Sequence, residues 1–386
     1  MFIDIDCVQE KKYKQNAFGD YFVSKRYPQD KRLIAVLSDG LGSGIKANIL
    51  SCMTATMLLR FIEKNIKIKK AAEIVMNSLP VCQVRHISYS TFSAVDCFDD
   101  GKISVVEEGN PDFVWIRGTE VLKPEFTIID SVNFKNRHMK VYKMNAQLGD
   151  RFIFCSDGVT QAGLGGGVLK LGLRRSGLID FLKVKLANDP EISSHNLAKY
   201  IVQQAKLVEP NRKPIDDISA CVLYFREPRK SLVFTGPPYR QSSDREFAYM
   251  FKNFVGKKAV CGGTTANLLS RELNAKITVG KLISIDSLPS CLEMEGADLV
   301  TEGVLTLTRT LEYLENKIPD SNNAAVRLSN FFLDSDEIYF MVGAKLNEAH
   351  YDPTLPVEIA IRKNIVKKIA EVLEKKYFKK VNIQYM

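Results

Sequence analysis

The chain has 386 residues, 45% of them hydrophobic and 26% charged, with a net charge of +9, which is ordinary for a soluble protein of two or three domains. No apolar run reaches the roughly 18 residues of a membrane-crossing helix, and the acidic start MFIDIDCVQEKK lacks the apolar stretch of a secretion signal, so a cytoplasmic protein with no membrane contact is expected. The positive charge suits an acidic or phosphorylated partner, while no clustered basic and aromatic module points to nucleic acid.

Cys7, Cys52, Cys82, Cys97, Cys155, Cys221, Cys261 and Cys291 form no CxxC pair and read as free thiols in a reducing compartment. His86, His138, His195 and His350 show no ligand spacing. A zinc site is not expected, and any metal should be held by oxygen.

Phe2 to Val8 alternates as a strand does. After a polar turn with Lys11, Lys12 and Lys14, a second strand carries Asp20 near its start in FGDYFV. The unbroken apolar run Leu33 to Leu37 reads as a strand buried on both faces and ends in Ser38-Asp39-Gly40. Gly40, Gly42 and Gly44 turn the chain into a long helix with Ile49, Leu50, Met53, Met57, Leu58 and Phe61 near one stripe. A second helix, Lys69 to Leu79, stops at Pro80.

Residues 90 to 122 read as an antiparallel meander with a hairpin at Asp99 to Lys102 and a turn at Gly109 to Pro111. Met139 to Lys143 is a further strand. Arg151 to Cys155 is another, and it runs into a second Ser-Asp-Gly, Ser156 to Gly158. A glycine-rich stretch, Gly163 to Gly167, reads equally as a loop or as a flap. Helices at about 176 to 187 and 193 to 208 follow, then Asp216-Asp217-Ile218-Ser219 opens a last strand to Phe225. Glu227 to Lys230 reads as a linker. Beyond it strands and helices alternate, with helices over Asp244 to Phe254, Thr264 to Leu273, Leu299 to Leu314 and Ile361 to Phe378, so 231–386 is expected to be a separate, smaller α/β domain. In Val260 to Thr265 a strand passes through two glycines into a helix; a helix capped by Thr264 or Thr265 is favoured over an anion site.

The chemistry-bearing positions are the aspartates at strand ends: Asp20, Asp39, Asp157 and the Asp216-Asp217 pair. Aspartate fits poorly inside strands, and a lone Asp-Gly is usually a hairpin turn. Here helix-forming sequence follows Asp39 and a glycine-rich loop follows Asp157. Carboxylates that meet in space repel unless cations bridge them. Two hard divalent ions would do so and could activate a water for phosphoryl chemistry, and all-oxygen ligation favours Mg²⁺ or Mn²⁺. Ser38 and Ser156 resemble nucleophiles, but neither motif holds a histidine base, so hydrogen bonding within the turn is expected of them. GLGSGIKA lacks the Gly-Lys-Ser/Thr ending of a phosphate loop and the spacing of a dinucleotide fingerprint.

The ordered set FGDYF, SDGLGSGIKA, EGNP, QLGDRFIFCSDG, SDGVTQA and DDIS resembles the metal-dependent protein phosphatases related to protein phosphatase 2C, in particular the SpoIIE-type serine phosphatases, over residues 1–226. The resemblance implies an α+β fold, a layered αββα sandwich with two Mn²⁺ or Mg²⁺ ions between the sheets. By motif, Asp39 would bridge both ions and the Gly40 carbonyl would bind one. Asp20 would hold one through water, and Asp157 and Asp216 the other, Asp216 being preferred to Asp217. It implies single-step hydrolysis of a phosphoserine or phosphothreonine by a metal-activated water. The implied substrate is a phosphorylated regulatory protein, such as an anti-sigma-factor antagonist. The competing reading is a catalytically silent phosphatase fold that binds a phosphoprotein or scaffolds a complex. No phosphate-clamping arginine can be assigned. Residues 231–386 carry no recognisable resemblance, and a regulatory role is the one expected of them.

Overall fold

The computed structural model describes residues 1–42, 44–78, 90–130, 138–165, 169–279, 291–343, 355–377 and 379–386. Pro80 and Gly166 to Gly167 lie outside them. The chain divides into two compact units, Met1–Glu227 and Pro228–Met386.

The first unit runs β1 (Phe2–Glu10), β2 (Asp20–Tyr27), β3 (Arg32–Gly40), α1 (Ile45–Glu63), α2 (Ile68–Ser78), β4 (Ser90–Phe98), β5 (Lys102–Glu108), β6 (Val114–Arg117), β7 (Glu120–Leu122), β8 (Phe126–Asp130), β9 (His138–Asn145), β10 (Asp150–Cys155), α3 (Asp157–Thr160), α4 (Arg174–Asn188), α5 (Ser194–Val208) and β11 (Ile218–Arg226). Two sheets result, one ordered β1-β11-β10-β6-β7 and one β2-β3-β4-β5-β9-β8, with antiparallel pairing throughout.

Strand alternation builds three cores. Successive side chains of a strand point to opposite faces. Leu33, Ala35 and Leu37 of β3 meet Phe152 and Phe154 of β10 and Leu223 and Phe225 of β11 between the sheets. The intervening Ile34 and Val36 face α1 and α2. On the far side, Ile153, Ala220 and Val222 face α4 and α5. The layers are therefore helix, sheet, sheet, helix: an αββα sandwich.

Four sequence expectations change in detail. The stretch 90 to 122 is not one meander, because β4 and β5 belong to one sheet and β6 and β7 to the other; the chain crosses at Gly109 to Pro111. The buried face of α1 is Ala47, Ser51, Thr54, Ala55, Leu58, Leu59 and Ile62, whereas Ile49 and Met53 are 51% and 50% exposed. The helix is apolar almost all round, so its pattern did not single out the stripe of small residues that lets it lie close to β3. In the second unit, Leu299 to Leu314 divides into a strand and a helix. The Gly262 backbone, with no capping side chain, starts the helix assigned to Thr264 or Thr265. By length and composition α1 is, among the described residues, the one helix that could cross a bilayer; its buried face covers the sheet instead.

The second unit runs β12 (Lys230–Thr235), α6 (Asp244–Asn253), β13 (Lys257–Cys261), α7 (Gly263–Leu273), β14 (Ile277–Val279), β15 (Leu292–Met294), β16 (Leu299–Thr301), α8 (Val304–Glu315), α9 (Ala324–Leu333), β17 (Glu337–Val342), α10 (Leu355–Tyr377) and β18 (Lys380–Tyr385). Its sheet is ordered β14-β15-β16-β13-β12-β17-β18. The five strands from β16 to β18 are parallel; β14 and β15 are antiparallel additions at one edge. Leu232, Phe234 and Val260 pack against α6 and α7. Val233, Ala259, Ile338 and Phe340 pack against α8, α9 and α10. This is a doubly wound α/β sheet.

Candidate active site

Both sheets of the first unit bring an acidic pair to one rim. Asp20 opens β2 and lies opposite Asp39 in antiparallel register. Asp39 shares its side of β3 with Leu33, Ala35 and Leu37 of the inter-sheet core, so alternation turns its carboxyl toward the other sheet. Asp157 lies two residues past the end of β10 and Asp216 two before the start of β11, its neighbour. Ser156 N–H donates to Ser219 O at 3.1 Å and holds these two ends together.

The four carboxyls form one electrostatic cluster centred on Asp39. Burial first, then the charges of Asp20, Asp157 and Asp216, push Asp39 up to about 10. Asp39 stands opposite Asp20 in the β2–β3 ladder, and the Asp20 and Asp157 carboxyls act directly on its charge. Asp20, 2% exposed, is pushed by burial to about 7, against the pull of the Ser219 and Ser156 hydroxyls. Ser219 Oγ donates to Asp20 Oδ2 at 2.6 Å. Burial also raises Asp157 and Asp216; Lys12 supplies a countering positive charge at Asp216. No basic side chain is among the leading influences on Asp20, Asp39 or Asp157.

Such a cluster suits hard divalent cations in donor type and in charge: mutually repelling carboxyl oxygens, with Lys12 beside Asp216 as the countering charge. Among the described residues no three His, Cys, Asp or Glu side chains are arranged closely enough to hold a metal ion as they stand; the fit is one of donor type and charge.

Asp217 has a different task. Its Oδ2 accepts from Gly19 N–H at 2.9 Å and its Oδ1 from Lys12 N–H at 3.1 Å. It pins the segment that delivers Asp20, and its side chain is spent on backbone donors. The motif glycines are demanded by packing. A Cβ on Gly40 would lie 2.1 Å from Ala47 O, and one on Gly158 2.1 Å from Asp217 O. The first glycine lets α1 close on β3; the second lets the β10 end close on the β11 start.

Ser38 and Ser156 are fully buried. Ser38 Oγ lies 2.6 Å from Ser90 Oγ and donates to Thr91 O at 2.8 Å; Ser156 Oγ donates to Asp217 O at 3.3 Å. Both work within the turns. Sequence reasoning missed Ser219, the donor to Asp20, and Gln161, whose Nε2 donates to Asp157 Oδ2 at 2.9 Å. The signal was there: Gln161 lies one helical turn past Asp157, and Ser219 is the polar residue at the start of an apolar strand. Lys11 and Lys14 lie over the Phe18 and Tyr13 rings. Gly163 to Gly165 are in a turn.

The profile of the stage II sporulation protein E (SpoIIE) family matches residues 29–226. Among solved structures, RsbX in complex with magnesium is 21% identical with a TM-score of 0.41, over 57% of this chain and 94% of that one. The phosphatase domain of SpoIIE from Bacillus subtilis, with a fragment of its regulatory domain, is 18% identical with a TM-score of 0.47, over 58% of this chain and 63% of that one. The RsbU and RsbW domains of a Mycobacterium tuberculosis protein are 18% identical with a TM-score of 0.47, over 64% and 67%. No curated protein sequence matches significantly.

Proposed function

The chain belongs to the SpoIIE family of serine phosphatases of the protein phosphatase 2C type, and from that premise we propose that its first unit is an active, metal-dependent protein serine/threonine phosphatase. The observation that carries the proposal is the four-carboxyl cluster about Asp39, assembled from both sheets, with Lys12 the basic side chain beside Asp216 and none among the leading influences on Asp20, Asp39 or Asp157.

Asp20, Asp39, Asp157 and Asp216, with the Gly40 carbonyl, would hold two Mn²⁺ or Mg²⁺ ions. The chemistry such ions supply is activation of water and neutralisation of charge on the phosphoryl oxygens. The chain's own groups prepare for it. Ser219 orients the Asp20 carboxyl, Gln161 orients Asp157, and Asp217 anchors the Gly19-Asp20 backbone. Asp216 accepts from the neighbouring Asp217 N–H and, among the described residues, from no other segment, which makes it the better ligand of the adjacent pair. Lys12 places positive charge beside Asp216, where a phosphoryl group would approach.

The proposed substrate is a phosphoserine or phosphothreonine on a regulatory protein, of which an anti-sigma-factor antagonist is one type. Cytoplasmic action belongs to the same reading and is supported by the free thiols, which suit a reducing compartment. The test is hydrolysis of p-nitrophenyl phosphate and of a phosphoserine peptide with Mn²⁺ and with a chelator. Activity should vanish with the chelator and fall by about a thousandfold in Asp39→Asn, with far-UV circular dichroism unchanged. Activity indifferent to both would defeat the assignment, and a folded wild type inactive with every divalent ion would leave the silent, phosphoprotein-binding reading.

A further inference from the structure

The carboxyl edge of the second unit's parallel sheet carries polar groups that its packing does not use. α7 starts at Gly262 (φ 131°) and α8 at Gly303, and neither start has a capping side chain. The two starts adjoin. Gly262 N–H donates to Thr301 O at 2.9 Å. A Cβ built on Gly262 would lie 4.0 Å from Gly303 Cα, and one on Gly303 3.6 Å from Gly262 Cα. A Cβ on Gly263 would meet nothing within 4 Å. The glycines thus leave backbone donors at two helix starts uncovered by side chains.

Buried hydroxyls gather on the same edge. Thr265, in the first turn of α7, is fully buried with no hydrogen-bond partner for Oγ1. That oxygen faces the helix mouth, 3.4 Å from where a Cβ on Gly262 would sit. Thr306, in the first turn of α8, and Thr235, at the end of β12, are also fully buried with unpartnered hydroxyl oxygens. A buried hydroxyl without a partner is costly, and three on one edge need an explanation that packing does not give. A cation stands on this edge too: Arg362 of α10 brings its guanidinium to Gly236, just beyond β12, where a Cβ would lie 2.5 Å from Nη1.

We infer that this edge binds the phosphoryl group of a small phosphorylated molecule. Backbone N–H groups at helix starts suit an anion. A tetrahedral group with several acceptor oxygens can take donors from two adjoining helix starts and from the Thr265 hydroxyl together. Doubly wound sheets receive ligands at the carboxyl ends of their strands. The site is independent of the first unit's chemistry and makes the second unit a receptor for a soluble metabolite.

The experiment uses the full chain carrying Asp39→Asn, with chelator present, so that phosphate binding at the acidic cluster does not register. Thermal shift and calorimetric titration are run with inorganic phosphate, sugar phosphates and nucleoside mono-, di- and triphosphates. A saturable rise in melting temperature is expected, and tighter binding of organic phosphates than of inorganic phosphate assigns a carried phosphoryl group. Thr265→Val should weaken binding by about tenfold while leaving the ligand-free melting temperature unchanged or higher, because it removes an unsatisfied hydroxyl. Gly263→Asp, which places a carboxylate in the open mouth, should abolish binding while keeping the fold. The inference is overturned if no phosphate compound gives a saturable shift at millimolar concentration, or if both folded variants bind as the wild type does.

Discussion

At the scale of the residue, the adjacent aspartates of one motif differ in their hydrogen bonding, and the separate duties proposed for them can be measured. Asp217 is 3% exposed and receives two backbone N–H groups from the segment before Asp20. Asp217→Ala should therefore destabilise the first unit by about 2 kcal/mol, the worth of hydrogen bonds to a buried charged acceptor. Asp216→Asn should leave the urea midpoint within about 0.5 kcal/mol of wild type yet abolish Mn²⁺-dependent hydrolysis. The reverse pattern would exchange their roles. Glu107 supplies a pH signature away from the cluster. It is buried against Ser93 Oγ at 3.2 Å and Phe113 N–H at 3.4 Å. Burial, ahead of the Asp112 charge, pushes it from the usual 4.5 to about 8. Between those values the folded protein keeps a proton that the unfolded chain has lost, so stability from this group is complete below 4.5 and drains away as pH rises toward 8. Glu107→Gln should remove that slope. The melting temperature of the variant should gain on wild type across this window by at least about 3 °C, and parallel profiles would show that Glu107 is ionised in the fold.

At the scale of the element, strands were more legible than helices. In β3, β10 and β11 unbroken apolar runs announced burial on both faces, and alternation then divided each run between two cores. The aspartates were legible because acid at the end of such a run has no packing role. What periodicity could not give was the sheet to which a strand belongs: β4 to β7 look continuous in sequence, and only the crossing at Gly109 to Pro111 separates them. The face of α1 was misread for a related reason. Met53 and Leu58 look equally buried in sequence, yet the close approach allowed by Gly40 selects the side with Ala47, Ser51 and Ala55. Leu58→Ala should cost about 3 kcal/mol, whereas Met53→Ala should change stability by less than about 0.5 kcal/mol. Urea unfolding of the two variants checks the assignment, and equal losses would restore the face the sequence suggested.

At the scale of the whole molecule, closure of the first sheet explains why so much of the acidic site rests on long-range pairing. β1 pairs along its full length with β11, Phe2 opposite Arg226 and Glu10 opposite Ile218. Residues from the two ends of the unit therefore lie side by side, with β11 between β1 and β10, and the pairing of β11 brings Asp216 to the rim shared with Asp20 and Asp39. No spacing rule in the sequence encodes that meeting; it follows from sheet order. The same pairing defines a natural end for the unit, since the chain leaves β11 at Arg226 and the second unit begins at Pro228. A fragment of residues 1–227 keeps every strand of both sheets and all three cores. It should unfold in a single cooperative transition in urea, with one midpoint by circular dichroism and by fluorescence of Trp115, which stacks on Phe152 at 5.4 Å. It should also retain Mn²⁺-dependent hydrolysis, and any change in rate relative to the full chain then measures control by residues 228–386. A fragment ending before β11, at residue 208, removes the strand that joins β1 to β10 and the Asp216 carboxyl. It should fail to fold cooperatively. If that shorter fragment folds and hydrolyses phosphate esters as the longer one does, assembly of the site does not depend on the joining of the two chain ends.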